Sequence, residues 1–282
     1  MIYFSDADID QLIHEDLPSM DLTTYALDIG ACPGTIRLLP RQPTVVCCTE
    51  EAARIFAKLG LTIRHITASG EQVDPGTVVL EAAGPAGAVH AGWRCGMNLV
   101  EHASGIATRT RRMVDAVHRV NPDISVVTTR KRIPGAKKLM IKSILAGGAM
   151  PHRLGLSETV LIFDEHLRFI GGAEALADRM PSLKAKLPEK KIAVEAHTVE
   201  SAILLARTGV DMVQLDKLSL DDTRQVVGAI QSEHLDTKVA IAGGVNLDNC
   251  AEYAAAGVDM IVTSALYFGK PADFKADLQP TA

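Results

Sequence analysis

The sequence contains no apolar run approaching the ~20 residues that a membrane-spanning helix needs, so no transmembrane segment is expected. Its opening, MIYFSDADIDQL, is acidic where a signal peptide would be basic, and a cytoplasmic location is expected. Cysteine is scarce and unpatterned. Cys32, Cys47, Cys48, Cys95 and Cys250 are odd in number and form no CxxC pair and no Cys/His ligand spacing, so neither a disulfide framework nor a zinc site follows. No GxGxxG run opens a helical pattern, which weakens a dinucleotide-binding reading. There is no excess of positive charge either. A formal net charge of −5 argues against general nucleic-acid binding, and neither nucleic acid nor membrane is an expected partner.

What is present is ordinary globular composition, 47% hydrophobic and 22% charged, over 282 residues. That length suits one large domain or two modest ones with a sizeable core, and the composition excludes disorder and collagen-like repeats. The charge is unevenly spread. From Arg94 to Arg153 there are 12 Lys/Arg against 3 Asp/Glu, which leaves 17 against 31 elsewhere. Segregation of this kind points to a cationic cleft for an anionic small molecule, with a solvated basic face as the alternative.

The first hundred residues mix helical and strand patterns without regular alternation, which predicts an α+β domain. Helices are expected over Asp6–Glu15 and Glu50–Leu59, and strands over Thr35–Leu39, Thr44–Cys48, Leu61–Ile66 and Thr77–Glu81. Ala88–Ala116 reads as a long helical stretch interrupted near Ser104-Gly105. From Ile124 onward, short apolar runs alternate strictly with amphipathic helices. The candidate strands are Ile124–Thr128, Val160–Phe163, Ile192–Glu195, Met212–Leu215, Val239–Ile241 and Met260–Val262. Repeated βα units of this kind form a parallel sheet with right-handed crossovers, either a barrel or an open doubly wound sheet.

In such folds reactive groups collect at the carboxyl ends of the strands. Those ends read Thr128-Thr129-Arg130-Lys131, Phe163-Asp164-Glu165-His166, Glu195-Ala196-His197, Asp216-Lys217, Ala242-Gly243-Gly244 and Thr263-Ser264-Ala265. Glycines allow backbone amides to approach a phosphate, so Gly243, Gly244 and Ser264 predict a phosphate cradle backed by the positive ends of the following helices. Glu195 and Asp216 end consecutive strands, an arrangement suited to hydrated Mg²⁺ or to ribose hydroxyls. Arg130, Lys131, His152 and Arg153 supply the opposing cations.

These residues fall into ordered motifs. Arg94…Asn98, Ser104-Gly105-Ile106-Ala107-Thr108, Thr129-Arg130-Lys131…Pro134-Gly135 and Gly147-Gly148…His152-Arg153-Leu154-Gly155-Leu156 lead into Asp164…His166, Glu195, Leu215-Asp216, Gly243-Gly244 and Ser264-Ala265. With the early Glu15-Asp16…Asp21…Thr23-Thr24, they resemble quinolinate phosphoribosyltransferase, also called carboxylating nicotinate-nucleotide pyrophosphorylase. The resemblance covers most of the chain.

It implies an N-terminal α/β sandwich over residues 1–110, a C-terminal open α/β barrel over 111–282, and a C-terminal tail that is a candidate to pack back on the first domain. It also implies transfer of ribose 5-phosphate from 5-phosphoribosyl 1-pyrophosphate to a nitrogen heterocycle, with Mg²⁺ as cofactor and a homodimer sharing its active sites. Under the resemblance Arg94 reaches the neighbouring subunit's site, and Arg130, His152 and Arg153 hold the acceptor. Lys131 contacts pyrophosphate, Glu195 and Asp216 take ribose hydroxyls and the metal, and Gly243, Gly244 and Ser264 take the 5-phosphate. Glu195, Asp216 and Lys131 are thus the candidate catalytic residues.

Several positions depart from the family pattern. Where the family carries Leu-Ile-Lys-Asp-Asn-His, this chain has Leu161-Ile162-Phe163-Asp164-Glu165-His166, so Phe163 stands on the acceptor side in place of a cation. Trp93 and Cys95 flank Arg94, Pro151 replaces an asparagine, and Lys217 follows Asp216. The combination is similar to the ModD branch, which is associated with molybdate transport. Inefficient use of quinolinate is expected. The alternative function is a non-catalytic, anion-binding or phosphoribosyl-ligand-binding regulatory protein linked to that transport.

Overall fold

A computed structural model describes residues 2–281. In chain order the elements are α1 (Asp6–Asp16), α2 (Leu22–Ala26), β1 (Pro33–Pro40), β2 (Thr44–Val45), α3 (Thr49–Lys58), β3 (Thr62–Ile66), β4 (Gln72–Val73), β5 (Leu80–Pro85) and α4 (Ala86–His118). There follow β6 (Ser125–Thr128), α5 (Lys137–Ala146), β7 (Met150–Pro151), β8 (Val160–Ile162), α6 (Asp164–Ile170), α7 (Ala173–Lys186), β9 (Ile192–Ala196) and α8 (Val199–Arg207). The chain ends with β10 (Met212–Asp216), α9 (Leu220–Ser232), β11 (Lys238–Ala242), α10 (Cys250–Ala255), β12 (Met260–Thr263) and β13 (Phe274–Pro280). No helix among the described residues is long and apolar enough to cross a membrane.

Two compact units result. The first takes the chain up to Arg111, Arg132–Gly148 and the stretch from Tyr267 on; the second takes Arg112–Lys131 and Ala149–Leu266. In the first, β13, β1, β5 and β3 form a sheet in that order, with β1 antiparallel to both of its neighbours. Ile36 and Leu38 of β1 and Leu80 of β5 are fully buried, in one core with Ile55 and Phe56 of α3. α1 starts where expected because Ser5 and Asp8 form a capping box: the Asp8 amide donates to Ser5 Oγ at 3.2 Å and the Ser5 amide to Asp8 Oδ2 at 2.6 Å.

The expected interruption at Ser104-Gly105 is absent; α4 is continuous through it. Both residues serve packing there. Ser104 Oγ accepts the buried Cys47 amide at 3.0 Å. A Cβ on Gly105 would stand 2.9 Å from Lys270 O and 2.9 Å from the Ala272 amide nitrogen, so the glycine admits a second backbone against the helix.

In the second unit all seven strands run parallel in the order β7-β6-β12-β11-β10-β9-β8. The sheet is open, with β7 and β8 at its edges, so the chain pairs an α/β N-terminal unit with an open, barrel-like α/β sheet as expected. β8 through β12 are sequential neighbours separated by helices, which is the βα repeat read from the hydrophobic pattern. β9 and β11 are buried almost throughout, as in a sheet covered on both faces. β7 was not among the expected strands. It is only two residues long, follows Gly147-Gly148 and contains a proline, so no periodic signal marks it.

Candidate active site

Because the strands of the second unit are parallel and in register, their carboxyl ends share one rim. Thr128 of β6 pairs with Thr263 of β12 on one side and with Pro151 of β7 on the other, while Asp216 of β10 pairs with Ala242 of β11. A cavity of about 320 Å³ opens there, lined by Arg130, Lys131, His152, Arg153, Phe163, Glu195, Asp216 and Gly243. Residues read from five of the expected strand ends are therefore brought together, and His152 and Arg153 join them from the end of β7. Gly244 and Ser264 sit beside this set without lining the cavity. Arg94 lies in the first unit, on α4, exposed and with its guanidinium 5.3 Å from the centre of the Trp93 ring.

The rim is electrostatically divided. On the acidic side, Glu195 Oε2 accepts from Gln214 Nε2 at 3.1 Å, which leaves Oε1 toward His197 Nε2 at 3.5 Å. His197 Nδ1 stands 3.7 Å from Asp216 Oδ2. Burial pushes the Glu195 carboxyl above its ordinary value and the Asp216 charge adds to this, with His197 and the Gln214 hydrogen bond working against both. On the basic side, Arg153 is 8% exposed, and burial together with Arg130 presses its guanidinium below its ordinary value. Burial likewise lowers His152, and Arg153 reinforces the shift. Two neighbouring cations with one of them buried favour an anionic occupant, which would relieve both penalties.

The glycine ends behave differently from each other. Gly243 has φ +78°, and a Cβ there would lie 2.6 Å from Asp216 Oδ1 and 2.5 Å from Lys217 Cγ. Its hydrogen is what lets the Asp216 carboxylate occupy its place. Gly244 has φ +82° and nothing within 4 Å of a Cβ position. The expected helix termini behind the cradle are not there. α10 begins only at Cys250, after a turn in which the Asn246 amide donates to Asn249 Oδ1 at 2.8 Å, and Ser264 is followed by a three-residue 3₁₀ turn, Ala265–Tyr267. Positive φ at both glycines redirects the chain before a helix can start. Any phosphate there would meet loop amides without an α-helix macrodipole behind them.

Residues 21–104 and 106–277 match the N-terminal and C-terminal domains of quinolinate phosphoribosyl transferase. The chain belongs to the quinolinate phosphoribosyltransferase family. A ModD protein of Rhodobacter capsulatus is 40% identical over 251 residues, covering 89% of this chain and 96% of the relative. A nicotinate-nucleotide pyrophosphorylase [carboxylating] of Mycobacterium leprae is 30% identical over 263 residues, covering 92% of this chain and 91% of the relative. The crystal structure of nicotinate-nucleotide pyrophosphorylase from Ehrlichia chaffeensis superimposes with a TM-score of 0.86 at 25% identity, covering 99% and 100% of the two chains.

Within this quinolinate phosphoribosyltransferase fold, two neighbours of the site, Gln214 and Leu161, carry no signal in the sequence, and the position of a third, His197, is only partly legible. Gln214 is buried inside β10, where alternation marks it only as a strand residue, yet it holds Glu195. Leu161 lines the cavity beside Phe163. His197 was legible as a strand-end residue, but its spacing from Glu195 alone does not place its ring between the two carboxylates. Phe163 is held by its own helix start: its amide donates to His166 Nδ1 at 3.0 Å, and the two rings stack with centroids 5.7 Å apart.

Proposed function

We propose that the protein is a phosphoribosyltransferase that attaches ribose 5-phosphate from 5-phosphoribosyl 1-pyrophosphate to a nitrogen heterocycle other than quinolinate. The observation that carries this reading is the divided cavity, in which Glu195 and Asp216 oppose Arg130, Lys131 and the buried Arg153. A donor with hydroxyls in its middle and phosphates at its ends matches such a division. Glu195 and Asp216 accept from the ribose hydroxyls and fix the ring, while Gly243, Gly244 and Ser264 offer backbone amides to the 5-phosphate.

In the reaction the heterocycle nitrogen gives its lone pair to C1 of the ribose as the bond from C1 to the pyrophosphate oxygen breaks, and pyrophosphate leaves with that electron pair. Positive charge grows on the ring beside Glu195 and Asp216, and negative charge grows on the leaving group beside Lys131. Stabilisation by groups already in place is the main source of rate. The two carboxylates also fit Mg²⁺: they are hard oxygen donors on adjacent strands, and Gln214 leaves one Glu195 oxygen for an ion. When bound, the ion supplies neutralising charge to the pyrophosphate. In a homodimer, Arg94 would serve the partner's cavity.

Phe163 and Leu161 make the acceptor side apolar where a second carboxylate would need a cation, and this supports a monocarboxylate or neutral ring as acceptor. Calorimetric titration with 5-phosphoribosyl 1-pyrophosphate, with and without Mg²⁺, tests the donor assignment. Binding that falls at least roughly tenfold in Glu195→Gln and Asp216→Asn supports it, since each lost charged hydrogen bond is worth about 1.5–3 kcal/mol. Absence of binding by the folded protein in both conditions rejects it.

A further inference from the structure

His197 gives the acidic side of the cavity a chemistry that two carboxylates alone do not have. Its ring stands 3.5 Å from Glu195 Oε1, 3.7 Å from Asp216 Oδ2 and 3.7 Å from Asp164 Oδ2. These separations exceed the ~2.7–3.2 Å of an N–H···O hydrogen bond, so a proton does not tie the imidazole to any one of them. One donor atom each from Glu195, His197 and Asp216 lies within 4.8 Å of the other two. Donors sharing one ion at bond lengths of about 2.0–2.2 Å sit roughly 3–3.5 Å apart, so small side-chain rotations close the set.

The ring is free to make that rotation, being 41% exposed, whereas Gln214 and the tight approach of Gly243 hold the two carboxylates. Across the same cavity Arg153 is 8% exposed and, among the described residues, makes no hydrogen bond or ion pair, Glu158 acting on its charge only through space, so its buried charge favours an anionic ligand. An ion with open positions opposite Arg153 would give that anion a second charged anchor.

We propose that Glu195, His197 and Asp216 form a three-ligand site that prefers a divalent transition ion such as Co²⁺ to Mg²⁺, with one imidazole nitrogen in the shell and open positions for donor oxygens. Imidazole is a good ligand for Co²⁺, Ni²⁺ and Zn²⁺ and a poor one for Mg²⁺, which favours all-oxygen octahedra. The inference rests on the reading of Glu195 and Asp216 as the ion side of the donor site.

The test compares the metal-free protein with His197→Gln, whose substitution at an exposed position leaves the core intact. Co²⁺ and Mg²⁺ are titrated separately by calorimetry, and electron spin-echo spectra are recorded with Mn²⁺ bound. The expected result is tighter binding of Co²⁺ than of Mg²⁺, with a loss of roughly 10–100-fold in Co²⁺ affinity in His197→Gln while Mg²⁺ affinity holds. Nitrogen modulation of the Mn²⁺ echo should be present in the parent and absent from the variant. Unchanged Co²⁺ affinity in the variant, or no nitrogen modulation in the parent, overturns the site. Pyrophosphate release from the donor separates the two ideas: turnover without nitrogen ligation sinks the metal site alone, and nitrogen ligation without turnover on any acceptor sinks the transferase reading alone.

Discussion

At Gly243 the lack of a side chain sets where a neighbouring carboxylate can stand. A methyl group there would collide with Asp216 Oδ1 and with Lys217, and the left-handed backbone adds about 1–2 kcal/mol of its own. Gly243→Ala should therefore fold with lowered stability and lose at least roughly tenfold in kcat, the equivalent of ~1.4 kcal/mol, because Asp216 must move. Parent-level turnover in a folded Gly243→Ala variant would show that the Asp216 position is not critical. Phe163 is the other informative residue. Its ring face repels a carboxylate, so Phe163→Lys should raise the preference for quinolinate over nicotinate in pyrophosphate-release assays. A full charged hydrogen bond is worth about 1.5–3 kcal/mol, less whatever Arg130 and Arg153 already provide. An unchanged preference in a folded variant would mean that Phe163 only fills the mouth of the cavity.

At the scale of elements, the parallel sheet was legible because each strand is a short apolar run followed by a helical period, and most of the residues that line the cavity follow from the strand ends. The unexpected two-residue β7 carries no such period, although it delivers His152 and Arg153 to the cavity. Gly105 was misread as a helix interruption because glycine has two uses, breaking a helix and admitting a neighbour, and sequence spacing does not distinguish them. Gln214 was hidden for a similar reason: the partner of a polar residue inside a strand lies on the adjacent strand, here Glu195, and sequence spacing does not reveal the pairing. The packing role of Gly105 predicts that Gly105→Ala destabilises by about 1–3 kcal/mol, the cost of overpacking a closed contact, measured by urea denaturation. A stabilised variant, as expected where glycine merely weakens a helix, would contradict the close approach.

For the molecule as a whole, the uneven charge distribution read from the sequence has two expressions. One is the cationic rim of the cavity. The other is Lys142, 12% exposed, which donates to Glu50 Oε2 at 2.9 Å and to Glu51 Oε2 at 2.5 Å. Burial works to raise the Glu50 carboxyl, but the Ser69 hydroxyl and amide and the Lys142 ion pair overcome it and hold it at about 2, from an ordinary 4.5. A carboxylate depressed in the folded state adds stability above its unfolded value and loses it as pH falls toward the folded value. The melting temperature should therefore fall more steeply between about pH 4.5 and 2 in the parent than in Glu50→Gln. Equal slopes would mean that the Glu50 cluster contributes nothing to acid stability. The most direct measurement of the proposed function is mass spectrometry of the protein incubated with 5-phosphoribosyl 1-pyrophosphate, divalent ion and a panel of mono- and dicarboxylated and neutral nitrogen heterocycles. A ribose 5-phosphate adduct on a mono-acid or neutral ring, formed together with pyrophosphate and abolished in Glu195→Gln, is the predicted result; donor binding with no adduct on any ring would contradict it.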